Sequence, residues 1–208
     1  MGKIDIRNLY KVTKNDINKC AKTLTQAFAE DKRLQQLAGE KNTKKRMQSL
    51  YRFIVRASLK RGHVYASGPE MEGIVLWFPE GVTRLTTYDF FTCGGIGMIL
   101  RHGFGIPIRM LRYENRATGI HQELIKEPHW YLFILAVVPE HRKKGFASRM
   151  MRPFLSFFDE NKISCYLETG KGNNEFMYKH YGFEVVERKE TANGQFLAMI
   201  RKPKGIEN

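Results

Sequence analysis

The chain has 208 residues, of which 42% are hydrophobic and 12% aromatic, and its formal net charge is +14. A chain of this size buries a substantial core in one domain, and its composition excludes a disordered polyelectrolyte. The charge is uneven: residues 1–62 carry +11, residues 63–128 carry −1 and residues 129–208 carry +4. Such a balance predicts an anionic partner, and charge alone leaves nucleic acid, a membrane surface and a phosphorylated cofactor open.

The cysteines and the apolar segments indicate the cellular compartment in which we expect the protein. Cys20, Cys93 and Cys165 are scattered, and no CxxC or Cys/His spacing occurs, which argues against a disulfide framework and against a metal site. The first twelve residues lack the apolar core of a signal peptide, and charged residues interrupt the apolar stretch at 93–111. We therefore expect a cytoplasmic protein that does not enter a membrane.

The first half of the chain predicts a strand, two helices and a hairpin. Apolar and charged residues alternate over residues 3–9, which predicts a first strand. Helical spacing of apolar residues predicts a helix that starts near Asp16 and reaches Phe28, and a second helix over residues 43–61 that ends at Gly62. Residues 63–67 and 73–78 then predict a β-hairpin.

The second half predicts the centre of an α/β sheet. Residues 80–128 are rich in glycine and predict short helices and loops inserted before the next strand. The uninterrupted apolar run 129–138 predicts a strand buried on both faces, and residues 145–161 predict a helix that contains Pro153. A strand at 163–169, a helix at 174–181 and paired strands at 183–187 and 195–201, turning at Asn193 and Gly194, complete a single α/β domain with a mixed sheet.

The junction between the long strand and the following helix predicts an anion site. Arg142, Lys143 and Lys144 precede Gly145, and the helix begins at once with Phe146 and two small residues, Ala147 and Ser148. The first turn of a helix has unpaired amide hydrogens and a partial positive charge, and glycine lets a phosphate approach the backbone closely. Neither GxxxxGK[ST] nor GxGxxG is present. The residues therefore predict a pyrophosphate site of another kind.

This junction resembles the acetyl-CoA loop of the GNAT N-acetyltransferase superfamily, which has Arg-x-x-Gly-x-Ala after a strand. Two further segments agree in order and spacing: ISCYLET at 163–169, and 173–186, in which Tyr178 and Gly182-Phe183 match the terminal signature. The start HWYL at 129 is similar to the branch that includes puromycin N-acetyltransferases. The resemblance implies one N-acetyltransferase domain over 1–208, with an acetyl-CoA core at 129–187 and a mixed, mostly antiparallel sheet whose central strands splay apart.

The resemblance also implies where acetyl-CoA binds as co-substrate. Backbone groups of residues 135–137 would hold the pantetheine arm, and the amides of residues 142–147 would hold the pyrophosphate. Lys171 stands where the family often has an asparagine, so which asparagine contacts the cofactor stays open. The cofactor-binding residues are then Leu135, Ala136, Val137, Arg142, Lys143, Lys144, Gly145, Phe146, Ala147, Ser148 and Asn174.

Acyl transfer to an amine needs a base for the amine and an acid for the departing thiolate. Tyr178 occupies the position of the family's general acid, and the register with Gly182-Phe183 favours it over Tyr181. Glu168 lies on the strand expected to splay, which makes it the candidate base, while His129 or water remain open in that role. Nothing near Cys165 in the sequence activates it as a thiolate, so we expect direct attack in a ternary complex.

The acceptor and the partners are less constrained by the sequence. A small-molecule amine is the expected acceptor, a peptide or protein amine stays open, and the insert at 80–128 is a candidate lid over the acceptor site. Two other readings compete: a nucleic-acid-associated protein that uses the basic second helix, and a non-catalytic fold that senses acyl-CoA. No recognition pattern for nucleic acid is legible, which argues against the first of these. Monomer and homodimer both remain open.

Overall fold

The computed structural model describes residues 4–39, 43–170, 172–191 and 194–205. Its described part forms a single α/β domain in which helices cover both faces of one mixed sheet. The elements in chain order are β1 (Tyr10–Lys11), α1 (Ile17–Ala27), α2 (Lys32–Ala38), α3 (Thr43–Arg61), β2 (His63–Ala66), β3 (Gly73–Phe78), α4 (Thr87–Thr92), α5 (Gly95–His102), α6 (Gly105–Leu124), β4 (His129–Val137), α7 (Phe146–Glu160), β5 (Ser164–Thr169), α8 (Gly172–His180), β6 (Glu184–Thr191) and β7 (Gly194–Arg201).

The N-terminal elements follow the sequence pattern except for the first strand. The second predicted helix is confirmed with the same bounds, as α3, and the Gly62 amide donates to the Ser58 carbonyl where the helix ends. The predicted strand at 3–9 is wrong for its described residues, because only Tyr10 and Lys11 pair with β2. Alternation identified a half-buried segment here, but no neighbouring strand extends far enough to pair with residues 4–9. The additional helix α2 had no counterpart in the predictions.

The sheet order is β1-β2-β3-β4-β5-β7-β6, and only the β4–β5 pair is parallel. The β4–β5 register runs from His129 opposite Ser164 to Leu132 opposite Leu167 and then stops, although both strands continue. The two strands therefore separate after Leu132, which confirms the expected splay. The same geometry explains why residues 133–135 of β4 are half-buried while the three residues before them are buried.

Two cores lie on opposite faces of the sheet, because successive strand side chains point to opposite sides. On one face, α1 and α3 cover strand residues that include Leu76, Tyr131 and Tyr166. On the other face, α7 packs its apolar side on Trp77, Trp130 and further residues, and aromatic rings meet there at centroid distances such as 5.1 Å for Trp77 and Phe158. The predicted helix over residues 145–161 is thus a core element with Pro153 inside it.

The insert at 80–128 is more regular than the glycine content suggested. It holds α4, α5 and the 20-residue α6, which runs back toward the start of β4. Within the described residues, no helix is both long enough and apolar enough to cross a membrane. The predicted strands near the C-terminus are confirmed as β6 and β7, whereas Asn193 of the predicted turn lies outside the described residues.

Candidate active site

A cleft of about 780 Å³ opens where β4 and β5 separate. Its lining comes from both faces of the sheet. Residues of β4, β5, α8 and the first turn of α7 line one part, and residues from α1 to α3 and from α6 line the other. The gap in the sheet thus joins the predicted anion site to a second chamber on the opposite face.

The loop before α7 has the backbone that its sequence requires. Gly145 is the N-terminal flanking residue of α7 and has φ +81°, a left-handed conformation that glycine adopts without penalty. No atom lies within 4 Å of the position that a Cβ would take at Gly145, so conformation rather than space demands glycine. The first amides of α7 have no partner earlier in the helix, and Gly145, Phe146, Ala147 and Ser148 line the cleft. These amides lie where the sequence predicts an anion site.

The three basic residues before Gly145 differ in what they do. The guanidinium of Arg142 donates to the carbonyl oxygens of Ala27 at 2.8 Å and of Val137 at 3.3 Å. It therefore joins the end of α1 to the end of β4, and its charge is used in that joint. Lys143 lines the cleft with φ +61°, whereas Lys144 is exposed and lies outside the lining.

The edge of β4 supplies backbone groups to the cleft. Leu135, Ala136 and Val137 pair with β3 on one side, opposite Val75, Ile74 and Gly73. On the other side, the described β5 has no register partner for them, because pairing stops at Leu132. All three residues line the cleft. An extended ligand can therefore bond to this edge as a strand would.

Helix α8 and the residue that follows it place two tyrosines and one asparagine at the cleft. Asn174 Nδ2 donates to Thr169 Oγ1 at 3.0 Å, which fixes the start of α8 against the end of β5. Tyr178 is buried, and burial raises the pKa of its phenol above 10, so the hydroxyl keeps its proton. The Tyr181 hydroxyl is 2.8 Å from Ser148 Oγ and is engaged with the first turn of α7.

Glu168 lies in the opened part of β5 and lines the cleft. Its Oε1 accepts a hydrogen bond from the Tyr166 hydroxyl at 3.1 Å, because the two side chains share one face of the strand. Burial raises the pKa of Tyr166, and the charge of Glu168 raises it further, so this phenol remains a donor. The structure thus presents at the sheet gap a half-buried carboxylate that accepts a hydrogen bond from Tyr166.

Two imidazoles that the sequence analysis did not propose line the cleft: His141, which follows β4, and His121 of α6. His129 lies behind His121: its Nδ1 is 2.7 Å from the Glu127 carbonyl, and its Nε2 is 2.6 Å from His121 Nε2. Since a carbonyl only accepts, His129 Nδ1 donates, and with neutral rings His121 Nε2 donates to His129. Burial, followed by the charge of His129, lowers the pKa of His121 to about 3. No spacing in the sequence signals this pair.

A second carboxylate, Glu114 of α6, also lines the cleft and was missed. Burial raises its pKa to about 7, and the charge of Arg84 opposes that shift. The only sequence signal was its place in an insert already suspected of covering the acceptor. The charges of Glu168 and Glu114 both raise the pKa of the buried Tyr131, so the two carboxylates lie near the same part of the cleft.

Cysteine and metal chemistry find no support in the described residues. Cys165 is buried, and burial raises the pKa of its thiol to about 12, which keeps it protonated. No group of three or more His, Cys, Asp or Glu side chains is placed to hold a metal ion in the part of the chain that the structure describes.

Comparisons with known proteins agree with this geometry. The acetyltransferase (GNAT) family model matches residues 77–183. An uncharacterized N-acetyltransferase of Schizosaccharomyces pombe is 26% identical, over 93% of this chain and 82% of its own length.

Two solved structures share the fold over nearly the whole chain. A Corynebacterium glutamicum protein described as a histone acetyltransferase and related acetyltransferase has TM-score 0.66 at 18% identity, over 97% of this chain and 98% of its own. Arylalkylamine N-acetyltransferase 2 of Aedes aegypti has TM-score 0.56 at 14% identity, over 93% and 97%. With a matching family model over half of its length and a splayed strand pair, this chain belongs to the GNAT family of N-acetyltransferases.

Proposed function

We propose that the protein transfers an acetyl group from acetyl-CoA to the amine of a small molecule, by direct attack while both substrates are bound. The observation that carries the proposal is the continuous cleft. It connects an anion site at the start of α7 with a chamber lined by Glu168 and His121 on the other face of the sheet. Both reactants can therefore meet at the gap between β4 and β5.

The residues at the gap fit acetyl-CoA. The unpaired amides of 145–148 and the cation of Lys143 suit a pyrophosphate, and the open β4 edge at 135–137 suits the amides of a pantetheine arm. Asn174 stands at the end of β5 with its Oδ1 available as an acceptor. Acetyl-CoA supplies the activated acetyl group. In this proposal Arg142 serves through the joint that its side chain makes, because its amide already donates to the Pro139 carbonyl at 3.2 Å.

Two side chains take the proton-transfer roles. Glu168, directly or through water, accepts the proton that the amine loses as its nitrogen bonds to the acetyl carbon. Tyr178 donates its proton to the sulfur as the carbon–sulfur bond breaks, so charge is balanced across the reaction. The protonated, buried phenol of Tyr178 and the half-buried carboxylate of Glu168 on the two sides of the gap support this assignment. His129 becomes a supporting residue, because His121 separates it from the cleft.

The insert at 80–128 belongs to the acceptor side in this proposal. Its helix α6 contributes Met110, Tyr113, Glu114, Thr118 and His121 to the cleft lining, so the insert forms a wall of the chamber. This supports its role as a cover over the acceptor, with the acetyl-CoA core at 129–187. Glu114 on that wall and Glu168 on β5 favour an acceptor that arrives as a cation.

Tyr178→Phe tests the proposed acid. The variant removes one hydroxyl and keeps the ring against Phe183, whose centroid is 5.9 Å away, so folding is preserved. With an amine found by screening for free thiol release, we expect kcat to fall about 100-fold while KM for acetyl-CoA stays within about twofold.

The matching variant is Tyr181→Phe, whose hydroxyl binds Ser148. We expect the loss of kcat in Tyr178→Phe to exceed that in Tyr181→Phe by at least about tenfold. Equal losses in the two variants would remove the acid role from Tyr178. Absence of thiol release with every amine tested would remove the proposed function itself.

A further inference from the structure

The acceptor chamber has one wall that is apolar. It consists of side chains from the end of α1, from α2, α3 and α6, which pack on the core behind them and still face the cleft: Phe28, Leu34, Leu37, Ile54 and Met110, called here the apolar wall. Four of the five are only partly buried, so they present apolar surface to whatever fills the chamber. A polar acceptor such as a sugar amine or a linear polyamine would leave this surface unused.

Tyr51 adds a polar group to the apolar wall. Its side chain is 1% exposed, its ring stacks on Phe28 at 6.0 Å, and it lines the cleft. Its hydroxyl has no hydrogen-bond partner among the described residues. Burial, and after it the charge of Asp31, raises the pKa of this phenol, so it is a donor.

An unpaired buried hydroxyl costs free energy, and ligand sites commonly consist of apolar walls with a few such polar groups. Ser58, seven residues further along α3, also has a buried hydroxyl without a partner among the described residues, but it does not line the cleft. The position of Tyr51 at the cleft is therefore what distinguishes it from an ordinary buried hydroxyl.

Tyr51 also lies on the acceptor side of the sheet. It belongs to the core under α1 and α3, whereas Tyr178 belongs to the core on the opposite face, under α7. The anion site is at the start of α7. A ligand that extends from the start of α7 to Tyr51 therefore passes through the gap between β4 and β5. Tyr51 lies on the face of the sheet away from the phosphates, where the acceptor would bind.

We infer that the acceptor is an amine on an apolar aryl or alkyl body, which contacts the apolar wall and carries an oxygen that accepts a hydrogen bond from the Tyr51 hydroxyl. This inference rests on the proposed function, since it identifies the chamber as the acceptor site. The amine group faces Glu168 and Glu114, and the apolar body extends along Phe28, Ile54 and Met110.

The test measures binding rather than turnover. Phenylalkylamines with two, three or four methylenes, each with and without a para-methoxy group, are titrated by calorimetry into protein saturated with CoA, next to 1,4-diaminobutane. We expect the tightest methoxy compound to bind about fivefold to tenfold more tightly than its parent, the contribution of one hydrogen bond. Both should bind at least about tenfold more tightly than 1,4-diaminobutane.

Two variants make the test specific. Tyr51→Phe removes only the hydroxyl and should abolish the methoxy preference while leaving the parent amines and CoA affinity unchanged. Ser58→Ala, the matched removal of a buried hydroxyl on the same helix, should leave the preference intact. The inference is overturned if Tyr51→Phe keeps the preference, if CoA affinity falls instead, if no arylalkyl amine binds, or if 1,4-diaminobutane binds equally well. Tight binding without thiol release would count against the proposed catalysis alone.

Discussion

At the scale of single residues, burial decides the chemistry of the cleft more than residue type does. Glu114 lines the cleft, and burial raises its pKa to about 7. His121 and His129 are both histidines in contact, yet only His121 reaches the cleft. Desolvation penalises the charged form, and its size depends on neighbours that the sequence does not order.

His121 yields a pH prediction. The folded-state pKa is about 3, against 6.5 for a free histidine, so below pH 6.5 the unfolded chain takes up a proton that the folded protein does not. Stability attributable to His121 is therefore complete above pH 6.5 and is lost as the pH falls toward 3. Between pH 7 and pH 5 this loss is about 2 kcal/mol of unfolding free energy.

Other groups also titrate between pH 5 and pH 7, so the pH dependence of the unfolding free energy is compared between variants of the protein. Glu114 has a raised pKa, so its contribution to stability increases as the pH falls, opposite to that of His121. His63 has a lowered pKa, so its contribution decreases as the pH falls, as that of His121 does. Urea unfolding at pH 5, 6 and 7 should show a smaller pH slope for His121→Gln than for the unchanged chain. The exposed His180→Gln should keep the original slope. Identical slopes in all three proteins would contradict the assignment.

At the scale of elements, one buried arginine holds the tyrosine-bearing helix in place. Arg201 of β7 donates through Nη2 to Asp159 at 2.7 Å, near the end of α7, and through Nε to the Tyr181 carbonyl at 2.9 Å, just after α8. The side chain of Arg201 is 2% exposed. The position of Tyr178 relative to α7 therefore depends on a contact between residues 42 positions apart.

Asp159→Asn tests this joint. Burial raises the pKa of Asp159, but hydrogen bonds from Arg201 and Lys204 lower it more, so the carboxylate is ionised in the folded protein. The variant leaves a buried guanidinium without its counter-charge, and we expect unfolding free energy to fall by about 1–3 kcal/mol in urea titration. The neighbouring exposed Glu160→Gln should cost less than about 0.5 kcal/mol. If Asp159→Asn lowered the unfolding free energy by as little as Glu160→Gln does, the Asp159–Arg201 pair would not stabilise the fold.

At the scale of the whole molecule, the charge of +14 and the cofactor site lie in different parts of the chain. Only +4 belongs to residues 129–208, so the local geometry at Gly145, not the total charge, identifies the anion site. The excess at the N-terminal end acts at longer range, as an attractive field for an anionic ligand.

This field predicts a salt effect on the proposed reaction. Raising ionic strength from about 50 to 300 mM should lower kcat/KM for acetyl-CoA about threefold to tenfold and leave kcat unchanged, because screening slows encounter. S-acetylpantetheine, which lacks the phosphates, should show no such decline. A parallel decline with both acetyl donors would assign the effect to something other than charge attraction.

The sequence by itself determined the α/β class, the bounds of α3, the hairpin and the central strand, and it predicts an anion site before α7. Each of these depends on local signals: helical period, strand composition, and a glycine at a helix start. The resemblance, which covers contiguous motifs, also predicts roles for Tyr178, Glu168 and Asn174; all three line the cleft, and their roles stay predictions. The strand expected at 3–9 failed because strand pairing needs a neighbour, which alternation within one segment does not report.

Only the tertiary structure decided what shares the cleft. His121 and Glu114 from α6, Tyr51 from α3 and the carbonyl of Ala27 that binds Arg142 are distant in sequence from the acetyl-CoA motif. Their proximity results from packing of α1, α3 and α6 on one face of the sheet and from the end of β4–β5 pairing at Leu132. Local sequence sets secondary structure, whereas burial, unpaired hydroxyls and shifted pKa values arise where separate elements meet.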